Sequence, residues 1–310
     1  MAYAALSLIA ALVARLPSAA RARVGGALGF IAGSVLRIRR SLVEAAMARA
    51  GISDPRASAA AMYRSLGEAL VELLALAEAP PPVREDAIAR VVIDPDSIAS
   101  LDRACACGPV LLFASHTGNW ELAAAAAAKL LATRGKRLAV VAKPIHARGV
   151  DAFVRRIRER CGIELVSPRG ALAAARRVLA AGDVVVMPID QVPERSSHGV
   201  VLPFLGEGAV TDRAPATLAW RARATALVVV AERIEGRDHV RVLDAIEPPG
   251  ESDTARVWID AVTRRATLRL ERFVRDVPPS WLWLHRRWRA PLSIDRRPGR
   301  PPLVAPRQAG

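Results

Sequence analysis

The sequence is poor in cysteine, lysine and aromatic side chains, and it lacks a long uninterrupted apolar run. Its three cysteines, Cys105, Cys107 and Cys161, are too few and too poorly spaced for a disulfide framework or a zinc site. Cys105-Ala-Cys107 also lacks the C-x-x-C spacing of a redox pair, so all three read as reduced and structural. Aromatic residues make up 4% of the chain, and no RNA-recognition aromatic motif, helix-turn-helix or zinc pattern is present, which argues against nucleic acid as the partner. No stretch reaches the roughly 20 apolar residues of a comfortable membrane span. No Lys or Arg precedes the first apolar run, so a secretory signal peptide is not expected.

What is present defines a folded, strongly basic chain. Of 310 residues, 52% are hydrophobic and 24% charged, enough apolar surface to offset the entropy of ordering. Lys and Arg number 45 against 30 acidic residues, giving a net charge of +15. Such a balance implies an anionic partner, with nucleic acid, anionic lipid and an acidic carrier protein as the candidates. Only Lys129, Lys136 and Lys143 are lysines; the Arg-for-Lys bias in an Ala-rich background is also a signature of GC-rich codon usage, so part of the Arg excess carries no functional meaning.

Two apolar runs of 13 residues open the chain, Ala2 to Ala14 ending at Arg15, and Val24 to Leu36 ending at Arg37, Arg39 and Arg40. Gly25, Gly29 and Gly33 fall four apart on one helical face, the pattern of helices in close approach. We expect two helices lying on or dipping into a membrane, their arginines in the anionic headgroup layer; a pair of buried core helices is the alternative. An ordinary amphipathic helix follows from Pro55, with Met62, Leu66, Leu70, Leu73 and Leu74 on one face, and Ala79-Pro-Pro-Pro82 stops it. The expected organisation is a membrane-associated helical segment over 1–40, a helical linker over 41–80, an α/β domain over 81–295 and a frayed tail over 296–310.

Short apolar runs at Val110 to Ser115, Leu138 to Ala142, Leu165 to Val166, Val184 to Ile189 and Ala226 to Ala231 alternate with helical patterns at Val150 to Arg160, Ala171 to Ala181 and Ala214 to Arg223. Strands apolar on both faces, alternating with helices, predict an α/β fold with a largely parallel central sheet flanked by helices. A last strand, His239 to Ile246, alternates in polarity as an edge strand does, and a helix over Thr254 to Arg275 closes the pattern. In such sheets ligands bind beyond the carboxyl ends of the strands, where His116 stands. Glu121, in the first turn of the next helix, is expected to fold back and orient that imidazole, and a carboxylate on one ring nitrogen raises the basicity of the other. Gly118 is expected to let the backbone approach a ligand, and Asn119 to cap the helix, leaving N–H groups for an oxyanion. No Ser or Cys nucleophile with a nearby base stands out. A non-catalytic anionic-lipid or nucleic-acid binding protein is the rival reading, and the His116/Glu121 pair is the feature that binding alone does not require.

Ser115-His-Thr-Gly-Asn-Trp-Glu-Leu122 resembles the H-x-x-x-x-D/E motif of glycerolipid-type acyltransferases, in the form found in the late acyltransferases of lipid A biosynthesis. Arg158-Glu-Arg-Cys-Gly162 with Pro168-Arg-Gly170, Asp190-Gln191 with Arg195 and Val201-Leu-Pro-Phe-Leu-Gly206, and Trp281-Leu-Trp-Leu-His-Arg-Arg-Trp288 are similar to further motifs of that family, in the same order. The sequence departs from the family pattern at Thr211-Asp-Arg-Ala-Pro215 and after Arg40. The resemblance implies transfer of a fatty acyl group from acyl carrier protein or acyl-CoA to a hydroxyl of a membrane glycolipid, foremost a lipid A precursor, at the cytoplasmic face of a bacterial inner membrane, with no metal or other cofactor. Another polar lipid acceptor, such as a phosphatidylinositol mannoside, is the alternative. His116 would deprotonate the hydroxyl with Glu121 as its partner; Arg158, Arg169 and Arg195 would bind phosphate, with Asp190 placed to hold one of those arginines. His285, among three tryptophans, reads as packing or as part of an interfacial belt.

Overall fold

The computed structural model describes residues 2–167, 170–193 and 198–288. Arg169, Arg195 and the segment over 296–310 therefore lie outside the described residues. Helices α1 (Ala2–Ala14), α2 (Ser18–Phe30), α3 (Arg40–Arg49), α4 (Pro55–Glu78) and α5 (Pro81–Ala89) precede strand β1 (Val92–Ile93) and helix α6 (Pro95–Cys107). The alternating body then runs β2 (Val110–Ala114), α7 (Trp120–Ala132), β3 (Leu138–Val141), α8 (Arg148–Arg160), β4 (Ile163–Val166), α9 (Ala171–Ala180) and β5 (Val184–Pro188). A hairpin of β6 (Gly199–Phe204) and β7 (Glu207–Asp212), helix α10 (Ala214–Ala222), strands β8 (Thr225–Ile234) and β9 (Arg237–Ile246), and helix α11 (Ala255–Asp276) complete it.

Seven strands form one sheet in the order β1-β9-β8-β2-β5-β3-β4, and every pairing except the antiparallel β8–β9 is parallel. The mostly parallel α/β expectation holds. β9 lies one place in from the edge, which the two-residue β1 occupies. The β6–β7 hairpin is a structural addition, because Val201 to Gly206 carries Pro203 and no strict alternation to announce a strand. Side chains of β2 alternate between layers: Leu111 and Phe113 join the cluster containing α9, α10 and α11, while Val110 and Leu112 join that of α6 and α7. The first of these clusters also contains Val43, Met47, Met62 and Tyr63, so α3 and α4 share a core with the sheet.

The spaced glycines of the second run dock α2 and the π-helical turn that follows it, Ile31–Val35, onto α4. A Cβ on Gly25 would lie 2.5 Å from the Glu68 Cα, one on Gly29 would lie 2.7 Å from the Arg64 Cα, and one on Gly67 would lie 2.7 Å from the Gly29 nitrogen. Backbone thus meets backbone. Because the glycine face is used against α4, the large apolar side chains of the opposite face, Val24, Leu28, Phe30, Ile31, Val35 and Leu36, stay exposed, as do Leu8, Ile9 and Leu12 of α1. Among the described residues no helix is long and apolar enough to cross a membrane.

This packing distinguishes neighbouring glycines. Gly29→Leu must wedge two backbones apart, at about 1–3 kcal/mol, whereas Gly26, whose nearest foreign atoms would stand 3.8 Å from a Cβ, should gain up to about 1 kcal/mol as alanine. Urea unfolding midpoints and tryptic cleavage at Arg21 and Arg23 measure the contrast; Gly29→Leu should lower the midpoint and expose both sites.

Candidate functional site

Parallel pairing of β2 with β5 places Ala114 opposite Pro188, and the Ile189 N–H continues the ladder to the Ala114 carbonyl at 2.8 Å. His116 and Asp190 each follow two residues beyond that register pair, so the strand ends set them side by side at the carboxyl edge. Asp190 Oδ2 accepts the His116 backbone N–H at 2.9 Å, and the imidazole Nδ1 lies 3.0 Å from Oδ1. Trp281 Nε1 donates to Oδ2 at 3.0 Å. The carboxylate is fully buried and accepts from three donors at once.

The carboxylate on His116 is therefore that of Asp190, and Glu121 engages a different partner. Arg158 grips Glu121 with two bonds, Nε to Oε2 at 2.9 Å and Nη2 to Oε1 at 2.6 Å. A helix first turn directs its side chains along the axis toward its own N–H groups, and the guanidinium of α8 captures the carboxylate there before it can turn toward the imidazole. Asp190, expected to hold an arginine, holds His116 and Trp281 instead. Asn119 caps α7 by accepting from the Leu122 N–H at 3.2 Å, and its amide donates to Glu72 of α4 at 2.7 Å. Gly118 serves the fold: its N–H donates to the Ser280 carbonyl at 2.7 Å, and a Cβ there would lie 2.7 Å from the Ala231 backbone.

The closing tryptophan segment is what locks this loop. The Leu282 N–H donates to the His116 carbonyl at 3.0 Å, and Thr117 bridges Trp281. Trp281 and Trp283 are fully buried, which removes them from an interfacial belt. Arg287, also buried, donates to the Val210 carbonyl at 2.7 Å and to Thr211 at 2.8 Å, so the segment is tied to β7. His285 stands edge-on to His116 with ring centroids 5.1 Å apart, and Trp120 flanks the imidazole at 5.3 Å.

Electrostatics divide the two histidines. Burial disfavours the charged form of His116, but the Asp190 charge and hydrogen bond outweigh it and raise the imidazole above its ordinary range. Burial in turn disfavours the Asp190 carboxylate, and its attraction to His116 nevertheless holds it well below the usual carboxylate range. For His285 burial prevails and pushes it down to about 4, so it is neutral at pH 7. His116, Asp190 and His285 each bring a ligand atom within 4.8 Å of the others. With Asp190 already accepting three N–H donors, the set fits an oriented imidazole better than a metal centre. Nε2, the other ring nitrogen of His116, is met by the Gln191 side-chain amide at 3.3 Å.

A hollow of about 940 Å³ is lined by His116, Glu121 and Arg158 and reaches along the sheet to Leu138 and Ile163, the first residues of β3 and β4. Its roof includes Ala123, Ala124 and Ala127 of α7. Six consecutive alanines in that helix offer only methyl groups, so space remains between helix and sheet where larger side chains would close it.

Asp190→Asn removes the charge that holds the His116 pKa up, leaving burial dominant. The imidazole pKa, read by NMR on ring-labelled protein, should fall below 6.5; an unchanged value would contradict the assigned coupling.

The chain matches the family model described as bacterial lipid A biosynthesis acyltransferase over residues 2–290. Comparison with curated proteins gives no match. A match over nearly the whole chain, together with an oriented imidazole lining an apolar hollow, leaves one conclusion: this chain belongs to the bacterial lipid A biosynthesis acyltransferase family and is an acyltransferase.

Proposed function

We propose that the protein transfers a fatty acyl chain from a thioester donor, acyl carrier protein or acyl-CoA, to a hydroxyl of a lipid A precursor, with His116 as general base and Asp190 as its positioning residue. The observation that carries this reading is the Nδ1–Asp190 bond on an imidazole that lines the apolar hollow and whose Nε2 is engaged only by the Gln191 amide among the described residues. Asp190 fixes the tautomer with the proton on Nδ1, so the Nε2 lone pair faces the substrate space. The acceptor hydroxyl gives its proton to Nε2 as its oxygen bonds to the thioester carbonyl carbon. Asp190 stabilises the imidazolium that results. The tetrahedral oxyanion then re-forms the carbonyl, the carbon–sulfur bond breaks, and the imidazolium returns the proton to the departing thiolate.

Glu121 acts one step removed. It spends Nε and Nη2 of Arg158, leaving Nη1 to face the oxyanion as a fixed donor. The acyl chain lies in the hollow beneath the α7 alanines. Gln191, on the reactive lone pair of His116 in the free protein, must swing aside when the acceptor enters.

The exposed apolar face of α1, α2 and the π-helical turn is the surface that seats on an anionic membrane. Residues 1–43 contain six arginines and no acidic residue, the charge complement of a lipid headgroup layer. Lying on the inner membrane, on its cytoplasmic side, would put the hollow beside a lipid acceptor without a spanning helix.

His116→Ala should reduce turnover by about two to four decades, with the fold retained by circular dichroism. Because catalysis needs the neutral imidazole and Asp190 raises its pKa, kcat/KM should climb with pH through a value above 6.5, and Asp190→Asn should move that limb to lower pH while lowering the rate. Near-wild-type turnover of His116→Ala would remove the assignment. Ala127→Leu should fill the hollow and shift the donor preference toward shorter acyl chains, measured with a chain-length series. Phe30→Asp with Leu36→Asp should weaken sedimentation with phosphatidylglycerol vesicles.

A further inference from the structure

Arg158 gives two of its donor nitrogens to Glu121, so the anionic groups of the substrates need other cations. A smaller hollow of about 360 Å³ supplies them. It lies between α10 and α11 and is lined by Arg213, Thr217, Arg221, Arg256 and Asp260, and it shares Leu172, His198, Ala214 and Arg221 with the larger hollow that His116 lines. Thr217 and Arg221, four residues apart, share one face of α10, which Arg213 immediately precedes, while Arg256 and Asp260 likewise share one face of α11.

Position separates these arginines both from paired ones and from unpaired ones such as Arg21, Arg23, Arg64 and Arg272, which line neither hollow. Arg134, Arg137, Arg265 and Arg275 each meet a carboxylate. In the smaller hollow the single carboxylate, Asp260, is 3.4 Å from Arg213. Arg221 and Arg256 have no ion pair or hydrogen-bond partner among the described residues. Two exposed, uncompensated guanidinium forks thus face one concavity that joins the reaction site.

We propose that this hollow is a phosphate subsite, with Arg221 and Arg256 holding a phosphate carried by one of the two substrates. It rests on the acyl-transfer reading above. The ligand class follows from charge and shape. Two guanidinium groups offer about two positive charges and two planar forks, which suit the charge of roughly −1.5 to −2 and the three oxygens of a phosphate monoester. A lone carboxylate would leave one fork unused. The phosphate can belong to the pantetheine arm of the thioester donor or to the glycolipid acceptor.

Calorimetry with inorganic pyrophosphate, on the full-length protein in detergent at low salt, reads the subsite without turnover. Wild type and His116→Ala should bind alike, and Arg221→Gln with Arg256→Gln should bind at least about tenfold more weakly. Arg237→Gln, at the first residue of β9, removes a charge outside both hollows and should not weaken binding. In steady-state kinetics the double variant should raise KM at least about tenfold for one substrate only. A rise for the acyl carrier protein or acyl-CoA donor that is absent with an S-acyl-N-acetylcysteamine donor assigns the donor phosphate. A rise for a phosphorylated acceptor that is absent with its dephosphorylated form assigns the acceptor. Pyrophosphate binding equal to wild type in the double variant, or an equal loss in Arg237→Gln, overturns the proposal. A failure of the catalytic reading would show instead as undiminished turnover in His116→Ala.

Discussion

The site depends on one buried carboxylate. Asp190 sits beyond the end of β5, fully removed from solvent, where a charge is tolerated only when hydrogen bonds and an opposite or polarisable partner replace water. His116 supplies two of its donors and Trp281 the third. Several remote parts of the chain exist in their observed positions because of this requirement. The β2–β5 register sets the histidine beside the carboxylate, and the segment from Ser280 to Leu282 pairs with the histidine loop so that the Trp281 indole reaches Oδ2. Removing any one donor would leave a buried charge underpaired, which is why the tryptophan segment is part of the structure that holds Asp190 and His116 together.

The amino-terminal helices answer a different constraint. A helix can bury only one stripe, and the second run gives its glycine stripe to α4, where the absence of side chains allows backbone contact. Its large apolar residues are thereby directed outward. The two sequence readings of that run, buried helix and surface helix, turn out to describe opposite faces of the same element. The glycine face is core, and the leucine, isoleucine and phenylalanine face is exposed.

Charge is likewise resolved locally rather than by the net excess. Many arginines are matched to carboxylates, including a cluster in which Arg233 meets Glu68, Glu72 and Asp238 and connects α4 to the β8–β9 hairpin. Asn119 joins that cluster through Glu72, so the cap of α7 is tied to α4. Burial pushes Asp238 up to about 6 within it. Among the described residues several arginines lack such a partner, and of these Arg221 and Arg256 stand at the smaller hollow, so that it is position rather than number that carries information.

Much of this protein was legible in its sequence. Continuous apolar runs between helical patterns identify strands buried on both faces, because only a parallel sheet covered by helices removes both surfaces from water. The strand-end His116, the Asn119 cap and the four-residue glycine spacing could be read for the same reason: each depends on local geometry. The partner of His116 could not. Glu121 is five residues away in sequence and Asp190 is 74, and only the pairing of β2 with β5 makes the distant carboxylate the nearer one. The hairpin of β6 and β7, the capture of Glu121 by Arg158, and the place of Trp281 beneath Asp190 were also decided by tertiary structure. A sequence records which groups can accept or donate, whereas which of them meet depends on strand register and helix docking, and these are settled by burying the whole core at once.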